Sequence, residues 1–166
     1  SSPTMEVYNG KLYGTNANDY VVEANENGAK VLTDAPVHFE FFHYDDRLYA
    51  RTSDSSLVVF EEGEKEPQVA VEEYIGMNAV VFDDYLYADG GMGLIRIDLT
   101  AEEPKAEDIV PNVQGITDGQ YIYYVDMKDW YLYRCDMDGS NAQLLFEKPV
   151  LRASMNFDDE YFYLRF

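Results

Sequence analysis

The sequence predicts an all-β fold, a β-propeller-like array of four-stranded antiparallel blades, on three observations. A short motif, in which an acidic or Gly-bearing turn precedes an aliphatic or aromatic residue and a tyrosine, returns five times along the 166 residues. The copies are Asn9-Gly10-Lys11-Leu12-Tyr13, Asp45-Asp46-Arg47-Leu48-Tyr49, Asp83-Asp84-Tyr85-Leu86-Tyr87, Asp118-Gly119-Gln120-Tyr121-Ile122-Tyr123 and Asp158-Asp159-Glu160-Tyr161-Phe162-Tyr163. The anchor tyrosines lie 36, 38, 36 and 40 residues apart, a period at which identical supersecondary units stack to bury their faces. The residues between anchors read as short strands and turns with almost no helical periodicity, and four short antiparallel strands per unit of about 40 residues is the pattern of a propeller blade.

The units run approximately over 1–35, 36–73, 74–110 and 111–149, with a partial one over 150–166, in a single repeat domain. The fourth shows the plan most plainly. Val113 to Thr117 is a strand, Asp118-Gly119 a turn, and Tyr121 to Val125 a second strand. Asp126-Met127-Lys128-Asp129 is a hairpin tip, Trp130 to Cys135 a third strand, Asp136 to Ser140 a turn, and Ala142 to Phe146 a fourth strand. Asp and Gly suit these junctions because they tolerate the backbone conformations of tight turns. The third strands of the earlier units are Tyr20 to Glu23, Leu57 to Phe60 and Leu94 to Ile97. Pro36, Pro111 and Pro149 fall where one unit hands over to the next, and Pro67 and Pro104 just before fourth strands, consistent with a residue that cannot donate to a ladder. A solenoid would use shorter periods and parallel strands, and a sandwich has no reason to repeat its sequence.

Composition narrows the function. A chain of this length can bury a core. Its 15 Tyr and 9 Phe suit half-buried strands. The formal net charge of −20 repels phosphate backbones and anionic headgroups, which argues against nucleic acid and membrane surfaces as partners. The apolar runs, such as Ala79-Val80-Val81-Phe82, are too short to insert into a bilayer. Cys135 is the only cysteine, so no internal disulfide forms. Ser1-Ser2-Pro3-Thr4 reads as a processed start, consistent with removal of a leader.

In the fourth unit, Tyr123-Tyr124-Val125-Asp126, Leu132-Tyr133-Arg134 and Asp136-Met137-Asp138-Gly139-Ser140-Asn141 resemble the YWTD-type repeat of low-density-lipoprotein-receptor propellers. The third unit keeps Leu86-Tyr87-Ala88-Asp89 and Ile95-Arg96-Ile97-Asp98. The pattern as a whole is similar to bacterial propeller-like repeats related to that family. The resemblance implies a non-enzymatic, secreted or surface-exposed propeller that binds through its loops. The chain departs from the receptor propellers in lacking six blades and cysteine-rich modules. Its partial unit either closes a small ring by pairing with the N-terminal strands or forms the edge of a larger propeller; a partial or unusual propeller is the preferred reading.

Candidate site residues fall in two groups. Trp130, the sole tryptophan, and Met92 stand at equivalent hairpin tips and would form an apolar recognition patch if they share a face; the competing reading packs Trp130 against its own sheet. Glu40, Asn78, Gln114 and Arg152 lie on innermost strands of four units, where they would converge on a channel ligand or serve as solvated walls. No catalytic residue, metal ligand or cofactor is assigned. The Asp pairs and Asp136-Met137-Asp138-Gly139 are read as turns, since pairs a blade apart do not converge as calcium requires and no bidentate Glu follows. His38 and His43 are expected on opposite faces of an extended segment, and Cys135 as a buried hydrophobe. Gly90-Gly91-Met92-Gly93 has no Lys or helix after it and is a hairpin tip, not a phosphate loop.

Together with what the resemblance implies, these residues lead to the expectation of a binding module, extracellular or on the cell surface, that meets a protein or glycan through one loop face. The alternatives are a propeller-channel lyase or hydrolase, which would need acid and base groups of opposed environment in one pocket, and a structural repeat scaffold. An unpaired strand over Tyr161 to Phe166 would offer an edge for self-association.

Overall fold

The computed structural model describes residues 5–37, 40–61, 63–76 and 79–150, with the backbone of 156–157 and 162–163; the side chain at 116 is not described. Among the described residues there is no helix, and so none that could cross a membrane. The chain divides into two compact units, 1–75 and 76–166.

The first unit holds two four-stranded antiparallel sheets. β1 (Met5–Tyr8), β2 (Lys11–Thr15), β3 (Val21–Asn25) and β4 (Gly28–Val31) pair in chain order, as do β5 (Phe41–Tyr44), β6 (Arg47–Arg51), β7 (Leu57–Phe60) and β8 (Gln68–Val71). The second unit repeats the meander twice, with β9 (Val80–Phe82), β10 (Tyr85–Asp89), β11 (Gly93–Asp98) and β12 (Ala106–Pro111), then β13 (Val113–Thr117), β14 (Ile122–Asp126), β15 (Leu132–Cys135) and β16 (Gln143–Phe146). A fifth, two-stranded sheet pairs β17 (Asn156–Phe157) with β18 (Phe162–Tyr163). The all-β, blade-like array read from the sequence is the fold observed.

The motif turns explain why each hairpin closes where it does. Asn9, Asp45, Asp46 and Asp83 adopt φ of 47°, 48°, 58° and 50°, and Gly10 and Gly119 φ of 74° and 86°. Only Gly, Asn and Asp occupy that left-handed region readily. Five strand starts differ from the sequence reading: β3 begins at Val21 and not Tyr20, β11 at Gly93 and not Leu94, β14 at Ile122 and not Tyr121, β15 at Leu132 and not Trp130, and β16 at Gln143 and not Ala142. Tyr121 belongs to the turn, because its amide donates to Asp118 Oδ1 at 2.7 Å. Trp130 has φ 64°, and the Tyr131 amide donates to Asp129 Oδ1 at 2.8 Å, so the third strand begins at Leu132.

The last strand pair of three sheets carries a register shift at the same place, between Leu57 and Val58, Leu94 and Ile95, and Leu132 and Tyr133. Each leucine is buried. A bulge bends the strand and sharpens its twist, so its recurrence makes a structural repeat out of a sequence repeat.

Period-two alternation gives each sheet two faces. In the first, the rows Met5-Gly14-Val22-Val31 and Val7-Leu12-Ala24-Ala29 form one face. Glu6, Tyr8, Tyr13 and Val21 lie on the other. That second face packs against Phe41, Leu48, Ala50, Val58 and Phe60 of the second sheet, with Tyr13, Val21 and Val37 buried in the same cluster. In the second unit, Leu94 joins Val113, Ile122, Tyr124 and Cys135 in the seam between the third and fourth sheets.

Candidate functional site

The hairpin tips joining second to third strands occupy one recurring slot. In each, a tip carbonyl accepts the amide of a later residue. Val37 donates to Asp19 at 2.8 Å, Ile75 to Ser55 at 2.8 Å, Asn112 to Met92 at 2.6 Å and Val150 to Trp130 at 2.8 Å. Asp19, Ser55 and Trp130 share the left-handed conformation, with φ of 60°, 71° and 64°. Met92 and Trp130 are therefore structural equivalents of Asp19 and Ser55. The first unit fills the slot with polar residues, and the second with a thioether and an indole.

Asn112, itself left-handed at φ 57°, sits at the handover from β12 to β13. Its amide donates to Met92 O, and its carbonyl accepts the Met127 amide at 3.0 Å. The two tips of the second unit are thus tied through one residue. Met92 is 76% exposed, Met127 47% and Trp130 39%. The apolar side chains the sequence set on equivalent tips are joined by the backbone, with Met127 added to them. Asp89, Asp126 and Asp129 rim them, their carboxylates accepting the amides of Gly91 at 2.7 Å, Lys128 at 2.8 Å and Tyr131 at 2.8 Å.

The Trp130 tip is held from below. The Tyr133 hydroxyl donates to Asp129 Oδ2 at 2.7 Å, and its ring stacks on Tyr124 with centroids 5.5 Å apart. The Tyr131 amide and the Tyr133 hydroxyl hold the Asp129 carboxyl below its ordinary range, and the same carboxylate pushes Tyr133 up to about 12. Beneath, burial pushes the Cys135 thiol up to about 11. It is 1% exposed and packs as a hydrophobe.

Of the proposed channel group, Asn78 and Arg152 lie outside the described residues, as does His38. Glu40 precedes β5 and is half-buried, its carbonyl accepting the Arg51 amide at 3.1 Å. Gln114 lies on β13 in the other unit and is exposed. Among the described residues no group of three His, Cys, Asp or Glu is placed to hold a metal.

A feature the sequence reading did not identify lies in the first unit. Glu6, on β1, holds His43, on β5: the His43 amide donates to Glu6 Oε1 at 2.9 Å, and Nδ1 lies 2.6 Å from Oε2. Tyr8 stacks on the imidazole at 4.7 Å, and Tyr13 lies tilted against it at 4.2 Å. The Tyr8 hydroxyl donates to Asp46 Oδ1 at 3.1 Å. His43 borders a cleft of about 160 Å³ whose wall, among the described residues, includes Glu23, Glu61 and Lys65 but no Ser, Thr or Cys. The signal was present in the sequence: in Met5-Glu6-Val7-Tyr8 the carboxylate has the parity of Tyr8, the packed face.

No protein-family model matches the sequence, and comparison with curated proteins finds no match. Among solved structures the fold is similar to BamB from Moraxella catarrhalis, with a TM-score of 0.61 and 12% identity over 98% of this chain and 53% of that one. It is also similar to a chain of a nidogen/laminin complex, with a TM-score of 0.51 and 16% identity over 83% of this chain and 59% of that one. Both are propellers, and the likeness is one of fold. The chain spans between half and three-fifths of the length of these neighbours.

Proposed function

We propose that the chain is a non-enzymatic interaction module that meets a protein partner through the Met92–Trp130 loop face, in a secreted or surface-exposed setting. One observation carries the reading. The slot that Asp19 and Ser55 fill in the first unit is filled in the second by Met92 and by a tryptophan held at φ 64°. A bulky residue in the left-handed region is disfavoured by roughly 1–2 kcal/mol. The fold's own preference at this position is for small polar residues, so the exposed indole and thioether are explained by contact with something else. Aromatic and Met side chains are the usual anchors of such contacts. The aspartates around them, on a chain of net charge −20, favour a partner segment that sets Lys or Arg beside an apolar knob. Similarity to a chain solved in a nidogen/laminin complex supports a protein partner by analogy of fold alone.

The reading is tested with a peptide library displayed on phage and selected on the immobilised chain. Enriched peptides carry an apolar side chain flanked by cations, shift the emission of the sole tryptophan to the blue on titration, and bind the Met92→Ser/Trp130→Asp variant at least about 10-fold more weakly. Peptides that bind the parent and the variant alike would refute it.

A further inference from the structure

The cleft beside His43 lies between two register rows. Glu6, Tyr13, Glu23 and Lys30 stand in line across the first sheet, on the face that packs against the second. His43, Leu48 and Phe60 stand in line across the second. All of these but Glu6 line the cleft. Tyr13 is 6% exposed, yet its hydroxyl has no hydrogen-bond partner among the described residues. Nor is that hydroxyl sealed from solvent, so it opens on the cleft that its side chain borders. The His43 side chain is 8% exposed. Glu6 accepts from Nδ1, and the neutral ring keeps a lone pair on Nε2 that no described residue meets.

The second unit holds the same seam in filled form. There the row Val80, Tyr87, Arg96 and Glu107 of the third sheet faces the row Thr117, Ile122 and Cys135 of the fourth. The cavity bordered by Tyr87, Thr117 and Ile122 is about 10 Å³, against about 160 Å³ beside Tyr13. Arg96 is the cross-strand partner of Tyr87, and Glu23 is that of Tyr13. The Arg96 guanidinium engages the Tyr87 hydroxyl, lies 5.3 Å from the Tyr85 ring centroid and donates to Glu107 at 2.8 Å. Arg134 does the same in the fourth sheet: it engages Tyr123, lies 4.2 Å from the Tyr121 centroid and donates to Gln143 at 2.9 Å. In the second sheet Arg47, two residues before Tyr49 and on its face, engages the Tyr49 hydroxyl. Tyr13 has no such neighbour, for no arginine precedes position 47. Lys11 stands in the Arg47 place but is turned to Glu23 at 3.1 Å and is 56% exposed.

We propose that the Tyr13 cleft binds a guanidinium group, the external counterpart of the arginine that the other three sheets carry built in. Four carboxylates, including Glu61 and Glu64, and two ammonium groups line it, one of them, Lys65, paired with Asp34 at 3.7 Å. The balance favours a cation, on a chain of net charge −20. A planar fork of N–H donors suits acceptors on several sides: the Glu23 carboxylate, the Tyr13 oxygen and His43 Nε2. Being weakly hydrated and able to stack on rings, a guanidinium also suits the Tyr13 and Phe60 walls better than an ammonium does. The volume is below that of a drug-sized site and fits one group on a short stem. The group comes from a free guanidino compound or from the arginine of a polypeptide.

The test is an NMR titration of the ¹⁵N-labelled chain with methylguanidinium and, in parallel, with the peptide Gly-Arg-Gly. Methylguanidinium is expected to shift the amides of Tyr13, Glu23 and Phe60 saturably, with methylammonium and the neutral isostere methylurea at least about 10-fold weaker. Glu23→Gln and Tyr13→Phe should each weaken binding about 10-fold with an unchanged circular dichroism spectrum. Glu23→Gln keeps the side-chain volume, so it decides alone if Tyr13→Phe disturbs the fold. Tighter binding of Gly-Arg-Gly assigns the group to a polypeptide, and equal or weaker binding to a free compound. Three results overturn the proposal: no saturable shift by about 50 mM methylguanidinium, equal binding of methylammonium, which would reduce the effect to net charge, or undiminished binding by the variants. The cleft shares no residue with the Met92–Trp130 loop face, so failure of one leaves the other standing.

Discussion

Glu6 binds His43 twice across the seam between the first and second sheets, once at the backbone amide and once at the ring. The imidazole is 8% exposed and the carboxylate 23%. Removing the carboxylate strands two buried polar groups, each worth about 1–3 kcal/mol when left unsatisfied. Glu6→Ala should lower the urea-unfolding free energy by about 2 kcal/mol or more. The double variant Glu6→Ala/His43→Val should recover part of that loss, because Val7 and Val81 fill the equivalent position in other sheets. A double variant less stable than either single would sink the account.

Acid should weaken the turns one carboxylate at a time. Asp98 and Asp138 are held below the ordinary carboxylate range by the Thr100 and Ser140 groups that donate to them. A depressed folded pKa contributes stability above the unfolded value near 4 and loses it as pH falls through the folded value. Protonation also relieves the repulsion of a −20 chain, which acts in the opposite sense, so the comparison must be internal. Asp138→Asn keeps an acceptor on the side chain but cannot titrate. Between pH 7 and pH 3 its unfolding midpoint should therefore fall less than that of the parent; parallel curves would rule the effect out.

The Asp129–Tyr133 bond should fail at both ends of the pH scale. At the acid end Asp129, its pKa depressed, gives up its contribution below the ordinary carboxylate value. At the alkaline end Tyr133, raised to about 12, keeps its contribution up to the unfolded value near 10 and loses it on passing through 12. Absorbance titration near 295 nm should show one tyrosine ionising late, and Asp129→Asn should bring it forward. A profile identical in parent and variant would refute the assignment.

Two glycines separate backbone strain from steric conflict. Gly10, at φ 74°, has nothing within 4 Å of an added Cβ. Gly139, at φ 83°, would set its Cβ 2.6 Å from the Ile109 carbonyl oxygen and 2.8 Å from Ile109 Cγ2. Gly10→Ala should cost about 1–2 kcal/mol from the left-handed conformation alone, and Gly139→Ala clearly more. Equal losses in chemical denaturation would contradict the packing described here.

At Trp130 stability and recognition should part company. Trp130→Gly relieves roughly 1–2 kcal/mol of left-handed strain and gives up a similar amount of ring burial. The melting midpoint should move by no more than a few degrees while peptide binding is lost. A large drop in the midpoint would make Trp130 a core residue and weaken the loop-face reading.

Much of the fold was legible because turn chemistry and period-two alternation are local. Asn9-Gly10, Asp45-Asp46 and Asp118-Gly119 announced their hairpins, and the tyrosine spacing announced the repeat. Strand starts were less legible. Tyr121 and Trp130 read as strand residues by type, yet the side-chain caps at Asp118 and Asp129 draw the chain around them into turns. The kinship of Met92 and Trp130 was visible from the repeat. The tie through Asn112 was not, because nothing local marks a handover residue as a bridge. The Glu6–His43 pair joins residues 37 apart on different sheets, and only the parity of Glu6 on its strand hinted at it.

Cys135, the single cysteine, is sealed in the seam between the third and fourth sheets with its thiol pushed up to about 11. The exterior is thereby left chemically blank toward maleimides and nitroxides. One cysteine introduced on any tip becomes the unique handle for a dye or spin label, without first mutating the native one. The distance from that label to Trp130, the sole tryptophan, can then be taken in solution with a spectroscopic ruler.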